Sequence, residues 1–552
     1  MVSRFLLGPR DTWLPALALL LPTLAWFALE GRAYPRFEPY QTGDFAKIEL
    51  YTRLAAEGSQ RVGTESRFHI HQPGPSFFYA AAPVYLLAGE TWRAMALAAL
   101  AWNAAFLLAL LRGASALAPG AGPFAAALLL AVVLQARGPG VLLSPWNPHV
   151  ALLPYAVMLL ASARLATGDG RVLPLVVLAG SVVLQCQVAW APGVALPAAA
   201  GIALFLWPAA RRALGIPTLG PGPTARSTAG AALVACALWA LPVADELTGE
   251  YGNFQRMLAL RGDPRPPTPW PETLAPAARA LNLRRDGEPP ETAYAWGAHN
   301  LGYDPRLSAV SAALGRVPSA GQDGVLAAFV SLALFASGWF AARRRAPMTA
   351  LAVVAGVGLA AVPVAVRYLP GRAFPPYLFM WGAMVTFAAL LTASTELAAR
   401  APRLRWGRGL GAALLLALPV VLVADGWRTQ PHLASPRDPR SILIERVTAD
   451  VRARAAADLP EHRRFLLRVA PYEDQFTSIG LVLALDKAGL PFAVEPFGSC
   501  RIEGRFTPRG DEWAELLVGR LPAGAGARRL GPAGGSGFVW HVPWRDGQRA
   551  PP

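Results

Sequence analysis

Hydrophobic residues in this chain fall into long runs, separated by polar segments rich in Arg, Pro and Gly. A membrane-spanning helix needs about 20 mainly apolar residues. On that criterion the pattern predicts eleven spans, near residues 13–30, 92–111, 121–136, 149–164, 172–188, 191–208, 228–246, 324–341, 348–366, 376–398 and 409–425. No convincing small-x-small cleavage site follows the first span, so we interpret it as a retained helix and not as a signal peptide.

One further apolar stretch, Pro75–Leu87, is only 13 residues long. A segment of this length suits an interfacial or re-entrant helix better than a span. Counting it as a span would also move every later Arg cluster to the opposite side of the membrane. We therefore predict that it lies on the outer membrane surface.

Three long polar regions then share the outer side. In the last of them, Phe465–Val469 and Phe492–Val494 have the composition of short buried strands, and Phe476–Ala488 has helical spacing. The sequence thus predicts a mainly α, polytopic membrane protein with a small C-terminal α/β domain. The predicted units are a transmembrane domain over 1–425 with outer loops 31–91 and 247–323, and a soluble extracytoplasmic domain over 426–552.

Composition agrees with this class. The 552-residue chain is 54% hydrophobic and 16% charged, and its mean hydropathy of +0.35 is too high for a soluble protein. The net charge is +16, but the short loops between spans carry 15 Arg on the predicted cytoplasmic side and 3 on the other side. This positive-inside bias predicts a cytoplasmic N-terminus. Since orientation explains much of the charge, we expect no nucleic-acid partner.

Cysteine usage and short motifs narrow the chemistry. Cys186 and Cys236 fall inside predicted spans, and Cys500 is alone in the tail. Neither a disulfide on the outer side nor a Cys-based metal site is therefore expected. The sequence also lacks a phosphate-cradling glycine loop, a Ser-His-Asp order and an HExxH helix.

The first outer loop holds the densest group of candidate functional side chains. Asp44 follows the first span, and about 25 residues later His69, His71 and Gln72 lead into a Pro-Gly-Pro turn and an aromatic run. Polar residues held against a bilayer without need are unusual. We therefore expect the function of the chain to lie in this loop.

Two other outer segments supply further candidates. Asn147 and His149 belong to a Ser-Pro-Trp-Asn-Pro turn after the third span, where they either line the same cavity or shape a rigid turn. Arg367 and Arg372 lie on the outer side, against the positive-inside trend. A guanidinium binds phosphate in a bidentate geometry, whereas the alternative is interfacial snorkelling to lipid headgroups.

The loop resembles that of bacterial GT-C glycosyltransferases. The stretch from Gly43 to Tyr79 is similar to a pattern of D-x4-E-L, S-R-F, H-P-G-P and F-Y in that superfamily, and Ser144–Pro148 is similar to a second patch. The layout of a first span, a large outer loop, many further spans and an outer soluble domain is also alike. Gln72 stands where the pattern has His, and Asp44 lacks the adjacent second acid of many members.

The resemblance implies an activity and its partners. Such enzymes use a polyprenyl-phosphate sugar at the outer membrane face, and an Asp of the first loop acts at the acceptor. We therefore expect a multi-pass protein of the bacterial plasma (inner) membrane, with Asp44 as catalytic residue, a glycan, lipid or protein acceptor, and contact with membrane lipids. The expected substrate-binding residues are His69, His71, Gln72, Asn147, His149, Arg367 and Arg372.

Several alternatives stay open at this point. Asp44 also suits the N-cap of a helix over Phe45–Ala56. His69 and His71 alternate, so they either bind acceptor or phosphate, shape an interfacial loop, or hold a divalent metal, which is the one cofactor considered. The whole protein has two alternative functions, a polytopic transporter or flippase and a non-catalytic envelope-assembly protein.

Overall fold

A computed structural model describes residues 10–33, 41, 43–66, 70–248, 252–261, 267–282, 320–368, 376–400, 408–428, 439–458, 464–469, 475–495, 506, 508–509, 512–518, 528–530 and 539–543. Helices dominate these residues. In chain order they are α1 (Arg10–Ala33), α2 (Gly43–Ala56), α3 (Ser76–Leu87), α4 (Trp92–Leu117), α5 (Ala121–Arg137), α6 (Asn147–Ala166), α7 (Leu173–Cys186), α8 (Ala191–Leu206), α9 (Pro208–Ala213), α10 (Ala225–Thr248), α11 (Asn253–Arg261), α12 (Trp270–Ala280), α13 (Ala320–Arg343), α14 (Met348–Arg367), α15 (Trp381–Arg400), α16 (Arg408–Arg428), α17 (Pro439–Asp458) and α18 (Gln475–Lys487).

Eight helical segments of the described residues are long and apolar enough to cross a membrane. They are Thr12–Leu29, Trp92–Leu117, Asn147–Ala166, Val188–Leu206, Ala225–Thr248, Gly324–Arg343, Met348–Arg367 and Trp381–Arg400. The mainly α class is therefore confirmed, and the chain is compatible with a polytopic membrane protein.

The remaining three predicted spans correspond to shorter apolar segments of the described residues, the last of which is part of the 21-residue helix α16. The segments concerned are Ala121–Gln135, Gly170–Cys186 and Leu416–Trp427, so the count of eleven stays a prediction. Ser76–Leu87 is a 12-residue apolar helix, a length consistent with the expected interfacial segment. Its buried side chains, which include Phe77 and Tyr85, face α2 and α4.

Helix α6 lies at the centre of the helical framework. In its apolar segment 89% of the residues are buried. Five helices pack against it, namely α4, α7, α8, α14 and α15. Small residues permit the close approach: a Cβ on Gly201 of α8 would lie 2.7 Å from the carbonyl oxygen of Ser162 in α6. Because its neighbours enclose α6, the turn that precedes this helix is fixed at one end of the framework.

The outward surface of the framework is apolar. On α13, Val325, Phe329, Leu332 and Phe335 recur at helical spacing and are between 59% and 73% exposed. Large apolar side chains in a contiguous exposed row mark a surface that contacts lipid or a partner. The row supports embedding of α13 in a membrane.

The first and the last long helices of the framework pack against each other. The rings of Trp26 in α1 and Trp427 in α16 stack with their centroids 4.0 Å apart. The indole Nε1 of Trp427 also donates a hydrogen bond to Thr23 Oγ1 at 3.3 Å. Helices α1 and α16 thus lie side by side, although they are far apart in the sequence.

The C-terminal region contains a five-stranded mixed sheet in the order β2-β1-β3-β5-β4. Strand β1 pairs in parallel with β2 and β3, and β5 pairs antiparallel with β3 and β4. Helix α18 connects β1 to β2, which makes this segment a βαβ unit. Two strands and the helix lie within one residue of their predicted bounds, whereas the assignment of a separate soluble domain stays a prediction. The strands are β1 (Arg464–Val469), β2 (Phe492–Val494), β3 (Glu512–Val518), β4 (Arg528–Leu530) and β5 (Val539–Pro543).

Candidate functional site

Two short extended segments between α2 and α3 form a hairpin. The N–H of Gly63 donates to the carbonyl of Gln72 at 2.8 Å, and the N–H of Gln72 donates to the carbonyl of Thr64 at 2.8 Å. Gly63 is needed here, because a Cβ at this position would lie 2.5 Å from the Cβ of Gln72. The hairpin therefore fixes the second segment, which carries His71 and Gln72.

Asp44 lies in the first turn of α2, which begins at Gly43 and not at the predicted Phe45. Gly43 has a φ of +57°, a conformation that favours glycine. The half-buried carboxylate of Asp44 accepts a hydrogen bond from the indole Nε1 of Trp146 at 3.2 Å. Within the described residues no backbone N–H of α2 bonds to it, and this arrangement argues against the capping interpretation.

The hydrogen-bond partner of Asp44, Trp146, belongs to the turn before α6, and the first turn of α6 carries Asn147 and His149. Trp146 is 4% exposed, and the ring of the half-buried His149 packs edge-on against it with the centroids 4.9 Å apart. The neighbouring Asn147 donates from Nδ2 to Oγ1 of Thr64 in the hairpin. The turn is thus a rigid junction between α2, the hairpin and α6, and within the described residues Trp146 is the side chain that it brings to the Asp44 carboxylate.

His71 is 1% exposed and connects the hairpin to α11. Its N–H donates to Oδ1 of Asn253 at 2.9 Å, and Nδ2 of Asn253 donates back to the carbonyl of His71 at 3.0 Å. The ring Nδ1 lies 3.0 Å from the carbonyl oxygen of Gly63. A carbonyl only accepts, so Nδ1 carries the hydrogen. The residue therefore has a structural role in the hairpin.

Gln72 is also engaged by the protein. Its Oε1 accepts a hydrogen bond from the N–H of Val188 at 2.7 Å. Gln185 at the end of α7 makes a parallel connection, since its Oε1 accepts from the N–H of Ser76 at 3.2 Å and its Nε2 donates to the carbonyl of Leu238 at 2.6 Å. Sequence reasoning missed this role of Gln185, although a polar amide inside an apolar span is a signal for one.

Arg367 lies at the end of α14, against the segment that precedes α12. Its Nη1 donates to the carbonyl of Thr268 at 3.1 Å, and the N–H of Thr268 donates to the carbonyl of Arg367 at 3.0 Å. The guanidinium also lies 4.6 Å from the ring centroid of Trp270. These contacts connect Arg367 to Thr268 and Trp270 and not to the loop that carries Asp44. His69 and Arg372 lie outside the described residues.

The metal alternative is left open by the geometry. Within the residues that the structure describes, no group of three or more His, Cys, Asp or Glu side chains is arranged to hold a metal ion. One of the two predicted ligands, His69, is not among those residues. A divalent metal therefore stays a prediction.

Charged side chains surround the last two turns of α2. Arg53 donates from Nε to Oδ2 of Asp486 in α18 at 2.7 Å, and it also pairs with Glu90 after α3. The side chain of Asp486 is 8% exposed. Burial lowers the pKa of Arg53, but the hydrogen bond and the charge of Asp486 outweigh this effect and raise the pKa above its ordinary value. The charged state of Arg53 is thus held by a residue more than 400 positions away in the chain.

Glu49 forms the second half of this cluster. It is 1% exposed and accepts hydrogen bonds from Nζ of Lys487 at 3.0 Å and from the hydroxyl of Tyr85 at 2.8 Å. Burial, and then the negative charge of Glu49, raise the pKa of Tyr85 well above its ordinary value. Tyr85 therefore stays a hydrogen-bond donor to the buried carboxylate. These contacts give Glu49 a structural role.

The predicted site residues thus separate into three groups. Asp44 lies beside the start of α6, which carries Asn147 and His149. His71 and Gln72 are buried in the hairpin. Arg367 contacts the segment before α12 instead.

No protein family matches the sequence, and a comparison with curated proteins gives no match either. The residues and their contacts are therefore the basis for a functional proposal.

Proposed function

We propose that the protein is a GT-C-like glycosyltransferase that moves a sugar from a polyprenyl-phosphate donor to a glycan, lipid or protein acceptor of the cell envelope. The environment of Asp44 is the observation that carries the proposal. Its carboxylate is half-buried and oriented by Trp146 at 3.2 Å. An ionised carboxylate has about four lone-pair sites, so sites remain for an incoming hydroxyl group. A positioned carboxylate of this kind suits a general base.

In the proposed reaction Asp44 accepts the proton of the acceptor hydroxyl while the acceptor oxygen forms a bond to the anomeric carbon of the sugar. The bond between that carbon and the phosphate oxygen breaks, and polyprenyl phosphate leaves with the electron pair. His149 and Asn147 border the acceptor in this proposal, and Arg372 binds the donor phosphate. The contacts of Arg367 assign it to the support of the segment before α12.

We also propose an orientation in the bacterial plasma membrane. Eleven spans with a cytoplasmic N-terminus bring the loop of Asp44 and the C-terminal domain to the outer face. The arginine bias of 15 to 3 on the two predicted sides supports this orientation, and the eight long apolar helices support embedding in a membrane. The outer face is also the side on which polyprenyl-phosphate donors are used by the enzymes that the chain resembles.

One set of contacts favours a second candidate, a non-catalytic envelope-assembly protein. The polar groups of His71, Gln72 and Asn147 are directed at protein partners. All three are at most 8% exposed. Residues that stabilise a loop in this way are also expected in a protein that scaffolds other components without transferring a sugar.

The decisive variant is Asp44→Asn. The amide oxygen still accepts the hydrogen bond from Trp146, so folding and insertion are retained, but the side chain no longer takes up a proton. A well-placed base contributes about 10²–10⁴-fold in rate, and we expect a loss in this range. The measurement is sugar transfer by the purified, reconstituted protein with a panel of polyprenyl-phosphate sugars at saturating donor. Glu57→Gln, an exposed residue just after α2, is the matched control and should keep the wild-type rate.

The two candidates give different results in this assay. Transfer by the wild type and loss of transfer in Asp44→Asn support the glycosyltransferase. Wild-type rates in Asp44→Asn would show that Asp44 is not the base. No transfer by the wild type from any donor of the panel would favour the non-catalytic protein.

A further inference from the structure

The charged cluster at the end of α2 is a specific connection between the first outer loop and the C-terminal sheet. Glu49 and Arg53 are one turn apart and therefore share a face of α2. Asp486 and Lys487 at the end of α18 supply the opposite charges, at 3.0 Å for the Lys487–Glu49 pair and 2.7 Å for the Arg53–Asp486 pair. Two pairs of opposite polarity match in only one orientation of the two helices, which makes the contact selective.

The burial of these groups makes their pairing mandatory. The side chains of Glu49 and Asp486 are 1% and 8% exposed, so neither carboxylate is compensated by water. Removing one partner of a buried ion pair leaves an uncompensated charge and is strongly destabilising. The hydroxyl of Tyr85 and the carboxylate of Glu90 complete the cluster from α3 and the turn after it.

The same helix carries Asp44 in its first turn. Nine residues separate Asp44 from Arg53, which corresponds to about 13 Å along a helix. A helix of this length moves as one body, so a contact that fixes its end also fixes its beginning. At the beginning, the hydrogen bond from Trp146 determines the direction of the Asp44 carboxylate.

We propose that Asp486 and Lys487 are positioning residues, which fix α2 and hold the Asp44 carboxylate in place against Trp146. The C-terminal βαβ unit is then a part of the site and not an independent appendage. The catalytic half of this inference rests on the proposed function of Asp44. The mechanical half, the fixing of α2 by α18, does not depend on it.

The test uses the full-length protein in lipid nanodiscs and compares Asp486→Arg, Arg53→Asp and the double variant with both changes. Each single variant places two like charges together, and the double variant restores an opposite pair. Amide hydrogen exchange of residues 43–56 reports on the fixing of α2. We expect exchange at least about tenfold faster in each single variant, and near wild-type exchange in the double variant. Glu445→Arg, an exposed charge reversal on α17, should leave exchange unchanged.

Sugar transfer in the same samples tests the catalytic half. We expect the single variants to lose turnover with little change in KM, because donor and acceptor binding do not involve these residues, and the double variant to recover it. If Asp486→Arg does not accumulate, Lys487→Gln is the replacement variant. It leaves the Arg53–Asp486 pair intact and should give a smaller loss of turnover of the same kind. Unchanged exchange in the single variants, or no recovery in the double variant, overturns the proposal. Absence of transfer by the wild type would refute the proposed function alone, since the exchange measurement still decides whether α18 fixes α2.

Discussion

The substitution Gly63→Ala tests the geometry of the hairpin directly. A Cβ at this position would lie 2.5 Å from the Cβ and 2.9 Å from the carbonyl oxygen of Gln72. Ordinary contact begins at 3.4 Å, so the two segments must separate by about 0.9 Å. Neither clashing atom is the end of a flexible side chain, so the backbone has to move. The hydrogen bonds that join the segments at 2.8 Å are the first to be affected.

The expected cost follows from these contacts. Overpacking in a close-packed region costs about 1–3 kcal/mol, and weakening of the two hydrogen bonds adds about 1 kcal/mol. The sum is about 2–4 kcal/mol, which corresponds to a factor of about 30 to 700 in the local opening equilibrium. Local openings of this kind govern amide exchange. The amides of Gly63 and Gln72 should therefore exchange faster by that factor in the Ala variant.

The assay is hydrogen exchange of the full-length protein in nanodiscs, read out on peptides over residues 60–75. Gly222→Ala is the matched control, because a Cβ at this loop position meets no atom within 4 Å. It should exchange like the wild type. Unaltered exchange of the hairpin in the Gly63→Ala variant would refute the reasoning, since it would mean that the two segments do not approach as closely as the structure indicates.

Three further predictions concern the framework. Gly193→Ala should lower the thermal unfolding midpoint in detergent, because its Cβ would lie 2.7 Å from the ring of Trp381. The control Gly356→Ala, whose Cβ would meet no atom within 4 Å, should not lower it. Equal midpoints for the two variants would contradict the packing of Gly193 against Trp381. Asp169 accepts hydrogen bonds from Arg164 and Arg171, each at 2.7 Å; burial raises its pKa, but the bonds to Arg171 and Arg164 outweigh burial and lower the pKa below the ordinary 3.8. The stabilising effect of the ionised Asp169 is therefore present above about pH 4 and is lost as the pH falls through the lowered pKa. The Asp169→Asn variant should be less stable than the wild type at pH 7, and the difference in stability should shrink in acid. A difference in stability that does not depend on pH would argue against the ion pairs. The third prediction concerns topology and uses a background without the three natural cysteines. In intact cells an impermeant thiol reagent should react with Ser59→Cys and Ala449→Cys, both at exposed positions, but not with Gly222→Cys. Protection of Ser59→Cys or Ala449→Cys from the reagent would require a different number of spans.

The helices and the βαβ unit were predictable because their signals are local. Run length identifies the apolar helices, and the period of the apolar residues separates α18 from the strands on either side of it. The start of α2 was placed two residues late, since the pattern of apolar residues gives no sign that Gly43 adopts a positive φ. The burial of Ser441 was not visible in the local pattern either. Its residue type is polar, but in the structure Ser441 is only 4% exposed.

The contacts of the candidate site were beyond prediction for a different reason. Gln72 and Val188 are 116 residues apart, and His71 and Asn253 are 182 residues apart. A side chain that is polar and close to a bilayer has the same appearance in the sequence whether it binds a substrate or holds two loops together. Asp44 was recognisable as a candidate from its position alone, whereas its orientation by Trp146 depends on a turn 102 residues further along the chain.

The stacking of Trp26 on Trp427 has a consequence for biosynthesis. Helix α1 is synthesised about 400 residues before its partner α16. At about 5–20 residues per second, the face of α1 that carries Trp26 waits for roughly 20 to 80 seconds for this partner. The contact between these two helices is therefore a late step of assembly, which follows the synthesis of every helix between them. A chain that stops before α16 would keep the contacts of α1 with α4 and α5 but would leave the Trp26 face without its partner.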